Sequence, residues 1–169
     1  MIHLKTNPKG IDLAIQKVQQ RLYDKITTTY SCDVEGFGRV YVDVKDDFNA
    51  PYAYLSKGEY KEVLNNDTVN GIHFFFVEDD NSSIIERSSL STSDIDLIVI
   101  VNDLTKVKGD VLHYQDEEIK EEVKEFLKGC FKINTITKGK KALDGFDVSK
   151  LQFIYPYFVF KISATINNY

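Results

Sequence analysis

From Ser93 to Leu104 the chain reads S-D-I-D-L-I-V-I-V-N-D-L, and this run constrains the fold more than any other. In an extended strand, Ile95, Leu97 and Val99 face one way, while Asp94, Asp96, Ile98 and Ile100 face the other. The first half therefore alternates, whereas the second half is apolar on both sides. Such a strand needs cover above and below, which places it in the interior of a sheet.

The other periodicities fit elements around that strand. Ile11, Ile15, Val18, Leu22 and Ile26 recur at helical spacing and predict an amphipathic helix over about residues 10–26. Thr27–Gly38 lacks a period and reads as a flexible connection. Arg39–Val44 alternates as one strand with three valines on a single face, and Asp47–Pro51 breaks regular structure. Ser56-Lys57-Gly58-Glu59 has the form of a capping box, which predicts a short helix through Tyr60, Val63 and Leu64. Ile72–Val77 is a strand whose Phe74-Phe75-Phe76 requires cover on both faces. Asp116–Lys128 carries the stripe Ile119, Val123, Phe126 and Leu127, with carboxylates in its first turn and Lys128-Gly129 at its end, so it predicts a second amphipathic helix. Phe131-Lys132-Ile133 opens a strand, Gly139–Ser149 is a loop, and Tyr157–Ile166 is a long last strand with Phe158, Phe160, Ile162, Ala164 and Ile166 on one face. The expected fold is one α+β domain over residues 1–169, with two amphipathic helices on a single mixed, mainly antiparallel sheet.

At 169 residues one domain with a substantial core is the natural reading. A net charge of −5 argues against a general nucleic-acid-binding surface, which would carry excess Lys and Arg. Ten Tyr and eleven Phe suit sheets and subunit contacts. Cys32 and Cys130 read as reduced core cysteines rather than as a disulfide or zinc pair. The N-terminus has no apolar signal core and no run reaches the ~20 apolar residues of a membrane helix, so the expectation is a cytoplasmic protein without membrane contact.

Asp94 and Asp96 are the sharpest candidate for chemistry, because two carboxylates on one face of a strand can hold a divalent metal. They resemble the D-h-D strand of the nucleotidyltransferase superfamily. That family also has a Gly-Ser pair on a helix-opening turn upstream, where this chain has Asn81-Ser82-Ser83-Ile84, and Phe131–Ile136 holds no third carboxylate. The expectation is therefore no catalytic residue, no metal and no cofactor, with a metal at Asp94 and Asp96 only under the enzyme alternative. His3, His73 and His113 are too scattered for a metal cluster, and Lys138-Gly139-Lys140-Lys141 lacks the flanking residues of a phosphate loop. Glu78–Thr92 is polar and longer than a hairpin needs. Its Ile84, Ile85 and Leu90, with Glu86 and Arg87 at the rim, are candidate anchors on a neighbouring subunit.

The order of a Phe-rich strand, a long Ser/Asp loop, S-x-x-D-h-x-L-h-h-x-V-N, D-E-E-h-x-x-x-V and a terminal h-x-P-Y-x-V-F-x-h strand occupies Phe74–Val77, Thr92–Asn102, Gln115–Val123 and Tyr155–Tyr169. It resembles the tail-terminator and head–tail connector proteins of tailed bacteriophages, most of all those of Bacteroidetes phages and the ring proteins of crAss-like phages. The resemblance implies a virion structural subunit without enzymatic activity, assembled in the host bacterial cytoplasm. It implies a ring of identical copies in the neck or at the tail terminus, in contact with portal, connector and tail proteins, with DNA only passing through the channel.

Overall fold

The computed structural model describes residues 1–45, 48–79, 83–84, 91–107 and 115–167. The central strand, β7 (Ser91–Val101), lies between β5 (Ile72–Glu78) and β9 (Phe158–Asn167), antiparallel to both. β1 (Val34–Arg39) adds parallel to β5 at one edge, and β8 (Lys132–Lys138) adds antiparallel to β9 at the other. A short β6 (Ser83–Ile84) pairs with the start of β7. The main sheet thus runs β1-β5-β7-β9-β8 and is mainly antiparallel.

Both faces of its centre are filled, as the two-sided pattern requires. Ile95, Leu97, Val99 and Val101 join Phe74, Phe76, Phe160 and Ile162 under the apolar stripes of α1 (Ile11–Thr29) and α2 (Gln115–Lys128). On the opposite face Ile98, Ile100, Phe75 and Val159 pack with Phe37, Ala53, Val63, Leu64, Ala142 and Leu143. The three consecutive phenylalanines have no solvent-exposed surface. At roughly 2 kcal/mol for each fully buried large side chain, this trio is a major contributor to stability.

A second sheet, absent from the expected architecture, is formed by β2 (Tyr41–Lys45), β3 (Phe48–Ser56) and β4 (Glu59–Glu62) in the order β2-β3-β4. The run expected as one strand from Arg39 to Val44 divides at Val40. Val40 is buried and its N–H donates to the Phe76 carbonyl at 2.9 Å, whereas Val42 is 40% exposed, so the valines do not share one covered face. The predicted helix at Ser56–Glu59 is instead a hairpin turn, with Lys57 at φ 50° and Gly58 at φ 83°. Two successive positive φ values match strand twist and exclude a helix start. Nor does Pro51 break structure: it sits within β3 opposite Val42, and its carbonyl accepts from the Val63 N–H at 3.0 Å.

The segment expected to be a flexible connection holds the end of α1 and all of β1 except Arg39. Thr27, Thr28 and Thr29 extend the helix by returning their hydroxyls to the carbonyls of Tyr23, Asp24 and Lys25. β1 includes two glycines, and Gly36 is required sterically: a Cβ there would lie 2.7 Å from the Phe74 ring. Gly71 permits a second close approach, since a Cβ there would stand 2.1 Å from the Asp33 carbonyl oxygen that accepts from Ile72. Cys32 and Cys130 are free thiols packed against the helix-side core. No described helix is long and apolar enough to cross a membrane.

Candidate functional site

Cross-strand register decides what Asp94 and Asp96 do. Asp94 stands opposite Thr165 and Asp96 opposite Ser163. The Thr165 hydroxyl donates to Asp94 at 2.6 Å and the Ser163 hydroxyl to Asp96 at 2.5 Å, while Lys161 Nζ lies 3.1 Å from the other Asp96 oxygen. The two carboxylates do share a face, as the sequence predicts, but each is engaged by β9. Beside Asp96 is a cleft of about 190 Å³ that is also lined by Glu78, Asp79, Asp144 and Lys161. Glu78 is bound there by Arg39 at 2.7 Å. Among the described residues no three His, Cys, Asp or Glu side chains are placed to hold a metal ion.

A second polar cluster lies beneath the small sheet, and no motif announces it. Glu35 is buried and accepts from His3 at 2.7 Å, from Asn66 at 2.5 Å and from Lys61 at 3.1 Å. Burial alone would raise its pKa, but the hydrogen bonds from His3, Asn66 and Lys61 prevail and hold the carboxylate below its usual value. Nearby His73 is fully buried, and loss of hydration pushes it down to about 4, so it is neutral at pH 7. The Asn102 amide donates to the carbonyls of Asn66 and Val69 at 2.8 and 2.6 Å, which ties β7 to the 66–69 turn. This arrangement satisfies a buried carboxylate and joins the N-terminal stretch, β1, β4 and the turn; His3 also lines a cavity of about 40 Å³ together with Gln19 and Phe37, and Asn66 and Asn102 line a cleft of about 400 Å³. Cys32, pushed up to about 11 by burial, is a poor nucleophile.

Of the sequence-predicted anchors, Ile84 is placed by its backbone in β6 opposite Ser91. Ile85, Glu86, Arg87 and Leu90 lie outside the described residues, as does His113.

Among the described residues, the largest exposed aromatic group is on the second sheet. Tyr54 is opposite Tyr60 and Tyr41 opposite Tyr52, while the intervening Ala53 points into the core, so alternation turns the tyrosines outward. Tyr41, Tyr54 and Tyr60 are 45%, 42% and 59% exposed. Tyr60 meets Tyr54 and Tyr41 edge-on, with ring centroids 5.3 and 6.3 Å away, and the Arg39 guanidinium lies 5.8 Å from the Tyr41 centroid. Arg39 is itself fixed by Asp12 at 2.8 Å, which pins the tyrosine face to the start of α1. The aromatic content was visible in the sequence. The face was not, because it depends on dividing Arg39–Val44 between two sheets. No protein family, curated protein or solved structure matches this chain.

Proposed function

We propose that this chain is a structural subunit that works through its surfaces, forming an oligomeric ring in the neck or at the tail terminus of a tailed-phage virion. The observation that carries the reading is the tyrosine face of β2-β3-β4. Exposed tyrosines that meet edge-on and are held on a sheet supply large contact area at small conformational cost, the composition that protein interfaces favour. The ordered resemblance to tail-terminator and connector proteins supplies the setting: copies of the same chain as neighbours, portal and tail proteins above and below, and DNA passing through. Mass spectrometry of purified parent virions tests this directly. The chain is expected among the structural proteins, and its absence would remove the reading.

The alternative is a nucleotidyltransferase-like enzyme with metal at Asp94 and Asp96, which the carboxylate-lined cleft beside Asp96 favours. Against it, Thr165 and Ser163 already donate to those carboxylates, and the Lys161 ammonium 3.1 Å from Asp96 competes with a metal cation for it. Labelled nucleoside triphosphates with Mg²⁺ or Mn²⁺ separate the two readings. No transfer of label is expected, whereas transfer that disappears in Asp96→Ala would establish the enzyme.

A further inference from the structure

From Asp144 to Tyr157, between the 3-10 turn Gly139–Leu143 and β9, the chain forms neither helix nor strand. A connection of that length is normally either loose or functional. This one is held firmly. Phe146, Val148, Leu151, Phe153 and Tyr157 pack against the core face that contains Phe75 and Ile98, and the Phe153 and Tyr157 rings meet edge-on at 5.7 Å. The Tyr157 N–H closes a turn on the Ile154 carbonyl at 3.0 Å, and the Pro156 carbonyl accepts from the Leu104 N–H at 2.9 Å. At the tip of this fixed turn Ile154 and Tyr155 are 71% and 73% exposed, more than any tyrosine of the small sheet. A large apolar pair already held in place loses little conformational entropy when it is buried by a partner.

The same loop lines the cleft of about 400 Å³ that Asn66 and Asn102 border. Leu64, Leu151 and Tyr157 give it apolar walls. Asn102 spends its amide N–H groups on the Asn66 and Val69 carbonyls, so among the described residues its side-chain oxygen is left without a donor. Lys150 and Asp67 also line the cleft; both are exposed, and among the described residues neither makes an ion pair.

We propose that this surface binds a second copy of itself across a two-fold axis, the Ile154–Tyr155 tip of each copy entering the cleft of the other. A two-fold contact needs one patch that is its own complement, and here the anchor and the receptor come from one loop. The cleft admits a tyrosine side chain, whose ring suits the leucine walls and whose hydroxyl can donate to the Asn102 oxygen. The charges are also self-complementary, because the axis sets Lys150 of each copy against Asp67 of the other. Two tips of two large side chains, each burying on the order of 150 Å² and covering as much of the cleft walls, reach about 1,200 Å² in all, the lower end of specific interfaces. A two-fold pair closes on itself and cannot propagate around a ring, so this contact is separate from the tyrosine face and does not rest on the ring reading.

Sedimentation velocity over a concentration series at low salt tests this on the full chain. The parent should pass from monomer to dimer and grow no further through this contact. Tyr155→Ser should weaken the dimer about thirtyfold or more, since each dimer loses the anchor twice. Lys150→Glu and Asp67→Lys should each weaken it about tenfold, whereas an equimolar mixture of the two should recover dimers close to the parent's, because together they restore opposite charges on both sides of the axis. Circular dichroism checks folding, and Ile154→Ser replaces Tyr155→Ser should that variant fail to fold. A parent that stays monomeric at its highest soluble concentration overturns the pairing. So does a dimer that Tyr155→Ser leaves intact, which would move self-association to another surface such as the tyrosine face. A mixture of the two charge variants that associates no better than either alone overturns the reciprocal geometry. Virion mass spectrometry reports on the ring reading separately: a chain absent from virions loses that reading and keeps this dimer.

Discussion

The two sheets use aromatic residues in opposite ways. In β5, Phe74, Phe75 and Phe76 disappear completely, because a strand between two layers has no outside. In β3 and β4, Tyr54 and Tyr60 stay in solvent, because their sheet has only one face against the core and the hydroxyl tolerates water on the other. The same property of aromatic side chains, a large surface with few torsions to fix, stabilises the fold in the first sheet and remains available for contacts in the second.

The contrast is open to direct attack, most strongly at Phe75. Phe75→Ala empties the centre of the face shared by Ile98, Ile100 and Val159, and should destabilise the chain by about 3–5 kcal/mol in urea unfolding. A loss below 1 kcal/mol would mean that this face is much looser than its burial indicates.

A slightly smaller effect follows from His73, which is buried between these regions. Its folded pKa of about 4 lies below the ordinary 6.5, so the unfolded chain takes up the proton first. The stability contributed by neutral His73 is therefore complete above pH 6.5 and is lost as pH falls toward 4, roughly 3 kcal/mol in all. Glu35, held below its usual value, adds a further loss in the acid range beneath the ordinary glutamate pKa. Urea melts at pH 7 and pH 4.5 should show the decline, and His73→Gln should flatten its upper part. An unchanged slope in that variant would assign the acid sensitivity to other groups.

The smallest effect on folding belongs to the tyrosine face. Tyr60→Ser should cost about 1 kcal/mol or less, the worth of exposed cross-strand aromatic contacts, as read by thermal unfolding at fixed pH. A loss as large as that of Phe75→Ala would erase the distinction and make Tyr60 a core residue of the second sheet.

What was legible in the sequence follows the same division. β5, β7, β9 and both helices announce themselves because burial on a fixed face imposes a period on Ile, Leu, Val and Phe. The α+β class and the mainly antiparallel main sheet follow from them. β1 escaped because Gly36 and Gly38 interrupt its apolar pattern, and the spaces they leave are filled by Phe74 and Gln19. The Ser56–Glu59 hairpin escaped because a capping box and a two-residue turn share polar residue types, and only the backbone at Lys57 and Gly58 separates them. Asp94 and Asp96 were correctly placed on one face, but their partners Thr165 and Ser163 are about seventy residues away and become neighbours only through β7–β9 pairing. The Glu35 cluster draws single residues from four separate segments, and no local spacing encodes such an assembly.

The Phe74 ring occupying the space of a missing side chain at Gly36 has a consequence for descent. Positions 36 and 74 share one volume, so neither can drift alone: bulk gained at the first must be surrendered at the second. Distant kin of this chain should therefore show small–large or large–small combinations at this pair, and two bulky residues together should be missing. Such a linked substitution would identify kinship even where the surrounding sequence has diverged past ordinary similarity.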